Sequence, residues 1–574
     1  MAPQLSALQP RERWQLFWLF AFALLLLGAG YGLREPWPSD EPRFVLVARQ
    51  MLESGQWLFP HRGQELYPDK PPVYFWILAA TRQLIGNWRF SFLLPSLLAG
   101  LGTLWLVYDL GRRLWNHRAG LWAGIAVLSA FQFAYQFKRA QIDPTLVLFT
   151  TLSLYGLCRH LLLGPDWRWY WAALFAAGIG VILKGVGFLP LLALLPFALM
   201  RRYRWQGIAE LGAGNAWRWS VGGVAFLAAI AVWLAPMLAT ALTSGDPEHR
   251  AYLDNLLFKQ TATRYADAWH HHKPFWYFAQ VMALFWLPFS LAFAWLWRDW
   301  RDAWRQRDAR VWLPLAWAIL VVGFFSASPG KRDMYILPAL LAVALAAAPF
   351  LAALVQGRNF QRALLGLTLA LAAVLLAAGA WALLGSPKFA QALAMDRGLG
   401  AEVRALWWML CAVGAIGLAA ALAWRRRGAL QAMAALLLAL WCGYGFVAHP
   451  VLDPSSSASA LMQRARLLAG PGTAIGLVEW KEQNLLQAVG PTAEFGFRAP
   501  AALQLQRAVD WLKEEPAGRR VLLSQPRGQA PCFGVGSGAV TPVGTANRRD
   551  WYLASLAAIG PSCFDDASLS DPSN

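Results

Sequence analysis

Charge is scarce in this chain. Asp, Glu, Lys and Arg together make up 14% of its 574 residues, too few to cover the surface of water-soluble domains of that total length. Acidic residues are scarcer than basic ones, 32 against 51, which leaves a net charge of +19. Such an excess fits nucleic-acid binding when the basic residues share one patch. Here they are dispersed in clusters such as Arg112-Arg113, Arg201-Arg202-Tyr203-Arg204 and Arg425-Arg426-Arg427, each directly after an apolar run, so nucleic acid is not the expected partner. Cysteine is also rare, with five residues. Cys158, Cys411 and Cys442 lie inside apolar runs as small hydrophobes, and no metal-ligand cysteine spacing occurs. Cys532 and Cys563 sit in a polar C-terminal region, where a periplasmic location would let them form a disulfide. The first apolar run, about Leu16 to Leu33, lacks a small-residue cleavage site after it, so it reads as an uncleaved span.

What the chain has in abundance is apolar length. Hydrophobic residues make up 57% of it and the mean hydropathy is +0.38. Many of its 33 tryptophans, among them Trp37, Trp88, Trp115, Trp167 and Trp276, flank the apolar runs, where indole rings favour the membrane interfaces. A span needs about 20 apolar residues. Thirteen candidates are found, near 15–33, 90–110, 119–137, 143–163, 169–183, 186–200, 217–242, 275–297, 311–328, 334–355, 361–384, 404–424 and 428–448. The fifth and sixth are short and meet at Lys184-Gly185, as two spans or a re-entrant pair. Val73 to Ile85 is too short to span and is expected to lie in the interface. This count places the arginine clusters in the cytoplasm, together with the N-terminus, and puts the C-terminus in the periplasm. The fold expected is a polytopic α-helical membrane domain over 1–448, with periplasmic loops 34–89 and 243–274, followed by a small α/β periplasmic domain over 449–574. In that domain Thr473 to Val478 and Arg520 to Leu523 read as strands. Ala501 to Leu512 reads as an amphipathic helix with Trp511 on its apolar side.

The topology gathers the chemically interesting residues on one face. The first outer loop carries Asp40, Glu41 and Arg43, then Tyr67, Asp69 and Lys70 before Pro71-Pro72. A carboxylate there suits a base or a group that orients an acceptor, and a lysine suits a phosphate; a solvated loop with an ion pair is the plain alternative. Asp143, before Pro144, sits at the outer start of a span, as a second carboxylate or simply as a helix N-cap. Lys184 stands alone in an apolar context, and an intramembrane lysine points to function. Further cations come from Arg264, His270, His271, His272 and Lys273, and from Lys331 and Arg332 beside Tyr335. Cations clustered with aromatics are what an anionic lipid headgroup needs. Three adjacent histidines cannot all face one point, so a divalent metal held there stays an open alternative.

Six motifs occur in order: Asp40-Glu41, Tyr67-x-x-Lys70-Pro71, Asp143-Pro144, Lys184-Gly185, Pro274-Phe275-Trp276, and Lys331-x-x-x-Tyr335-Ile336-Leu337-Pro338. In this the chain resembles the bacterial aminoarabinose transferases that modify lipid A, relatives of the protein O-mannosyltransferases in the GT-C class. The resemblance implies an inverting glycosyltransferase in the bacterial inner membrane. Its donor would be a sugar such as 4-amino-4-deoxy-L-arabinose on undecaprenyl phosphate, and its acceptor lipid A or another envelope glycolipid. Asp40, Glu41 and Asp143 would then be catalytic. Tyr67, Lys70, Arg264, Lys331, Arg332 and Tyr335 would hold the donor phosphate, with Arg43, Asp69, Lys184 and His271 as further members of the site. A protein acceptor is the alternative within the superfamily. A lipid-linked-sugar transporter is the alternative outside it, although no internal repeat is found and the charges gather at the edge of the membrane rather than at its midplane.

Overall fold

The computed structural model describes residues 8–212, 214–256, 273–425, 428–526 and 539–559. Eight helices are long and apolar enough to cross a membrane: Trp88–Leu114, Ile142–Leu163, Ala216–Thr243, Ala309–Ala327, Asp333–Leu354, Arg358–Leu384, Ala401–Ala423 and Ala429–Ser456. A ninth is added if Tyr277–Phe285 and Phe289–Arg305, bent by 102°, count as one span. The remaining expected spans are also helical but shorter or more polar. They are Pro10–Gly28, His117–Ser129, Trp167–Lys184 and the pair Leu189–Ala193 and Leu194–Arg202. Val73–Ile85 is a helix of 13 residues, as expected for a segment that does not span.

The chain reverses between Trp167–Lys184 and Leu189–Ala193. Gly185 takes a positive φ of 73°, a conformation costly for residues with a Cβ. Gly187 then packs so closely on the preceding helix that a Cβ there would lie 2.0 Å from the carbonyl carbon of Gly180. Backbone cannot move aside as a flexible side chain can. Gly187→Ala is therefore expected to destabilise the protein by about 1–3 kcal/mol, read as a lower melting temperature in detergent. Gly366→Ala, with nothing within 4 Å of the added carbon, should leave the melting temperature unchanged or raise it.

The segment between the first helix and residue 72 is more ordered than its sequence suggests. It contains the helix Glu41–Ser54 and a short antiparallel pair, His61–Arg62 with Glu65–Leu66. The helix is buried on nearly all sides. Phe44, Val45, Val47, Ala48 and Met51 belong to the core of the helical bundle, and Leu46 packs into a second core with Leu461, Ile475 and Leu522. It thus joins the bundle to the C-terminal module.

That module has a five-stranded sheet. Ala474–Leu477 pairs in parallel with Thr492–Glu494 and with Arg519–Pro526, and Arg549–Ala554 pairs antiparallel with Arg519–Pro526 and Val540–Ala546. Both expected strands and the helix Ala501–Glu514 are present, with Trp511 packed beside Phe495. The last long helix runs beyond the expected end at residue 448, through His449 to Ser456. Its last turns carry Asp453 to the first loop, where the carboxylate accepts hydrogen bonds from the Glu35 N–H and the Trp37 indole, both at 2.8 Å. Cys532 and Cys563 lie outside the described residues.

Candidate active site

Four segments far apart in sequence meet at one end of the bundle. At their centre Glu41 is 1% exposed. It pairs with Arg34 through both carboxylate oxygens, with Nη2 to Oε1 at 2.7 Å. It also accepts from the Trp37 N–H at 2.8 Å and the Ala140 N–H at 2.9 Å. Burial pushes this carboxyl up, but the Arg34 charge and these hydrogen bonds outweigh it and hold it below the ordinary range. Every lone-pair direction of Glu41 is thus engaged in fastening the first loop to the segment Lys138–Gln141. That segment is tied down further by Lys138, whose ammonium donates to the carbonyls of Leu26, Leu27 and Ala29 at the end of the first helix.

Asp40, one residue earlier, is placed differently. It is the N-cap of the helix Glu41–Ser54, yet its side chain makes no capping hydrogen bond. It accepts instead from the Gln141 amide at 3.0 Å and faces Arg332 at 3.8 Å and Arg43 at 4.0 Å. Asp143 lies two residues beyond Gln141. The N-cap of its helix is Gln141, so capping does not account for Asp143, whose carboxylate pairs with Lys184 Nζ at 2.5 Å. That ammonium lies 5.1 Å from the centre of the Tyr335 ring. Tyr74 links the two acids. Burial pushes its phenol well above the ordinary value, and Glu41, Asp143 and Asp40 all push the same way.

The other expected residues form a second layer. Arg43 donates to Glu482 at 2.7 Å, as does Arg62 at 3.3 Å, so a carboxylate of the C-terminal module braces the guanidinium beside Asp40. Burial lowers the Arg43 pKa, but Glu482, Tyr67 and Asp40 together raise it above the ordinary value. Tyr67 is buried with Arg62 5.2 Å from its ring centre. Asp69 lies 4.0 Å from Arg498. Lys70 is half-buried in the turn that leads through Pro71-Pro72 to the helix bearing Tyr74. Lys331 is 4% exposed, and its ammonium donates to the carbonyls of Ser328 at 2.5 Å and Lys273 at 3.1 Å. It clamps the end of Ala309–Ala327. Arg264 and His270, His271 and His272 lie outside the described residues. Among the described residues no three His, Cys, Asp or Glu side chains converge as a metal would require.

Sequence reasoning missed Arg34, Gln141, Tyr74, Glu482 and Asp453. One signal was available for Arg34, a cation at the outer end of the first span, where the positive-inside rule disfavours it. The contacts of Glu482 and Asp453 cross more than 400 residues and had no local signal.

A family model described as dolichyl-phosphate-mannose-protein mannosyltransferase matches residues 69–235, a stretch that contains Lys70, Asp143 and Lys184. The undecaprenyl phosphate-alpha-4-amino-4-deoxy-L-arabinose arabinosyl transferase of Pseudomonas aeruginosa (strain UCBPP-PA14) is 32% identical over 453 residues, covering 75% of this chain and 74% of that protein. The chain belongs to this arabinosyl transferase family. The transferase of the same name (numbered 2) from Sodalis glossinidius is 29% identical over 513 residues, 84% of this chain and 88% of its own. The fold agrees: ArnT from Cupriavidus metallidurans, solved bound to undecaprenyl phosphate, superposes with a TM-score of 0.70 at 22% identity, over 95% of this chain and 99% of that one. This arabinosyl transferase relative is thus a multi-pass membrane glycosyltransferase that depends on a polyprenyl-phosphate sugar, and the transporter alternative falls away.

Proposed function

We propose that the enzyme transfers 4-amino-4-deoxy-L-arabinose from undecaprenyl phosphate to a phosphate of lipid A, at the periplasmic face of the bacterial inner membrane. The observation that carries this reading is the meeting of Asp40, Asp143, Arg332 and Lys184, from four separate segments, at one end of the bundle. Thirteen spans, counting the shorter helices, would put that end in the periplasm with the N-terminus in the cytoplasm and the C-terminal module over the site. Lys70, Arg332 and Lys184 bind the donor phosphate. Asp40 and Asp143 hold the sugar, whose 4-amino group is a cation suited to a carboxylate. Glu41, Tyr67 and Lys331 fix the loops that present them.

In the reaction an acceptor oxygen attacks the anomeric carbon from the face opposite the carrier. The bond from that carbon to the carrier phosphate oxygen breaks, and its electron pair leaves with the phosphate. Cations placed where that charge develops lower the barrier. A lipid A phosphate is already an anion and needs no base, so Asp40 positions the sugar. With a protein hydroxyl as acceptor, the alternative that the mannosyltransferase match over 69–235 favours, Asp40 takes the proton.

The test is lipid A mass spectrometry with polymyxin susceptibility in a strain lacking the gene, complemented with wild type or with Lys70→Ala at matched expression. An aminoarabinose-sized mass on lipid A, present with wild type and absent with the variant, is expected. A lipid A profile unchanged by wild type would defeat the acceptor assignment and turn the search to glycoproteins.

A further inference from the structure

The end of the bundle opposite Asp40 holds a cavity of 650 Å³ whose lining includes Arg113, Arg159, Arg168 and Arg218. It is far from the donor site. The helix Trp167–Lys184 begins at the cavity and ends at the Asp143 partner, a rise of about 27 Å for its 18 residues at roughly 1.5 Å each. The one acid in the lining is Asp166, which pairs with Arg159 at 2.7 Å. Asp109, deeper in the bundle, pairs with Arg112 and Arg113. Two helices, Trp167–Lys184 and Ala216–Thr243, start at the rim, and their first N–H groups add to the positive potential.

Topology alone asks only that cations stand at this face. It does not ask that four of them, carried by four helical segments, line one cavity. Nor does it account for the aromatic frame. The Arg218 guanidinium lies 5.6 Å from the Trp167 ring and 5.3 Å from that of Trp217, which is 58% exposed. Trp167 in turn packs 5.5 Å from Trp219. Beyond that pair opens a second depression, of 520 Å³, with an apolar wall of Leu194, Phe197 and Ala198 beside Arg201 and Arg202.

We infer that this cavity binds the phosphodiester headgroup of an anionic phospholipid in the leaflet away from the donor site, with an acyl chain along the Leu194–Phe197 wall. A cationic cavity at span ends, framed by indoles and continuous with an apolar groove, matches a lipid phosphate better than a soluble one. The inference rests on the membrane-spanning architecture and not on the identity of the sugar or acceptor.

The test is native mass spectrometry of the delipidated full chain in detergent, titrated with dioleoylphosphatidylglycerol, with dioleoylphosphatidylethanolamine and with inorganic phosphate. Tighter binding of phosphatidylglycerol than of phosphatidylethanolamine is expected, weakened by added salt. Arg168→Ala with Arg218→Ala should lower phosphatidylglycerol affinity by roughly tenfold to thirtyfold, while Arg168→Lys with Arg218→Lys retains most of it. Equal affinity for the two lipids, or unchanged phosphatidylglycerol affinity in the double alanine variant, overturns the proposal. So does competition by inorganic phosphate at concentrations equal to the lipid, which would reassign the cavity to a soluble ligand. Should the alanine variant fail to fold, the headgroup and salt comparisons on wild type decide.

Discussion

Asp40→Asn is expected to lower turnover by about 10²- to 10⁴-fold while leaving the melting temperature close to that of wild type. The substitution keeps the size of the side chain and an oxygen that can still accept from the Gln141 amide, now 3.0 Å away. It removes only the negative charge. That charge does no capping work at the start of its helix, so the helix should survive its loss. What changes is the balance against Arg332 and Arg43, at 3.8 and 4.0 Å. Relieved of their counter-charge, these cations should hold the donor phosphate at least as tightly, so KM for the donor stays level or falls while kcat collapses. The measurement is single-turnover and steady-state transfer from the polyprenyl-phosphate sugar, followed by mass spectrometry of the acceptor. Turnover within about tenfold of wild type would remove Asp40 from the reaction centre.

The contrast between Asp40 and Glu41 shows what a sequence can and cannot tell. Both lie next to each other in the first outer loop, and the motif alone treats them as a pair. The helix that starts between them sends the two carboxylates to different partners, and only the tertiary structure shows that Glu41 is consumed by Arg34 and two backbone N–H groups. Lys331 and Arg332 divide for a related reason. Arg332 is in extended backbone, φ −123° and ψ 145°, where consecutive side chains point to opposite sides. One therefore clamps carbonyls and the other faces Asp40. The helix Glu41–Ser54 was not legible because it is packed on one side by the bundle and on another by the sheet. Its apolar residues run almost without interruption from Phe44 to Ala48, leaving no clear 3.6-residue stripe. By contrast Asp143, Lys184 and Tyr335 were legible because a charged or polar group at the edge of an apolar run needs a partner, and here they supply one another.

Arg34→Met should be the most destabilising single change in the first loop. The pair is buried, with side-chain exposures of 2% and 1%, and removing one partner leaves the Glu41 carboxylate desolvated without a counter-charge, a loss of about 3–5 kcal/mol. The pH dependence separates this account from simple loss of packing. In wild type the Glu41 carboxyl is held below its ordinary value. The stability it contributes is therefore full above the unfolded pKa of about 4.3 and is lost as the pH falls through the lower folded value. In the variant, burial is no longer opposed by Arg34, so the folded pKa rises above the unfolded one. The folded state then binds the proton more tightly, and stability falls as the pH rises from about 4 toward 7. Melting temperatures in detergent across that range should climb or stay level with pH for wild type and decline for Arg34→Met. Parallel curves would mean that the guanidinium contributes bulk rather than charge. A declining curve would establish the Arg34–Glu41 pair as the electrostatic fastening that presents Asp40 to the donor.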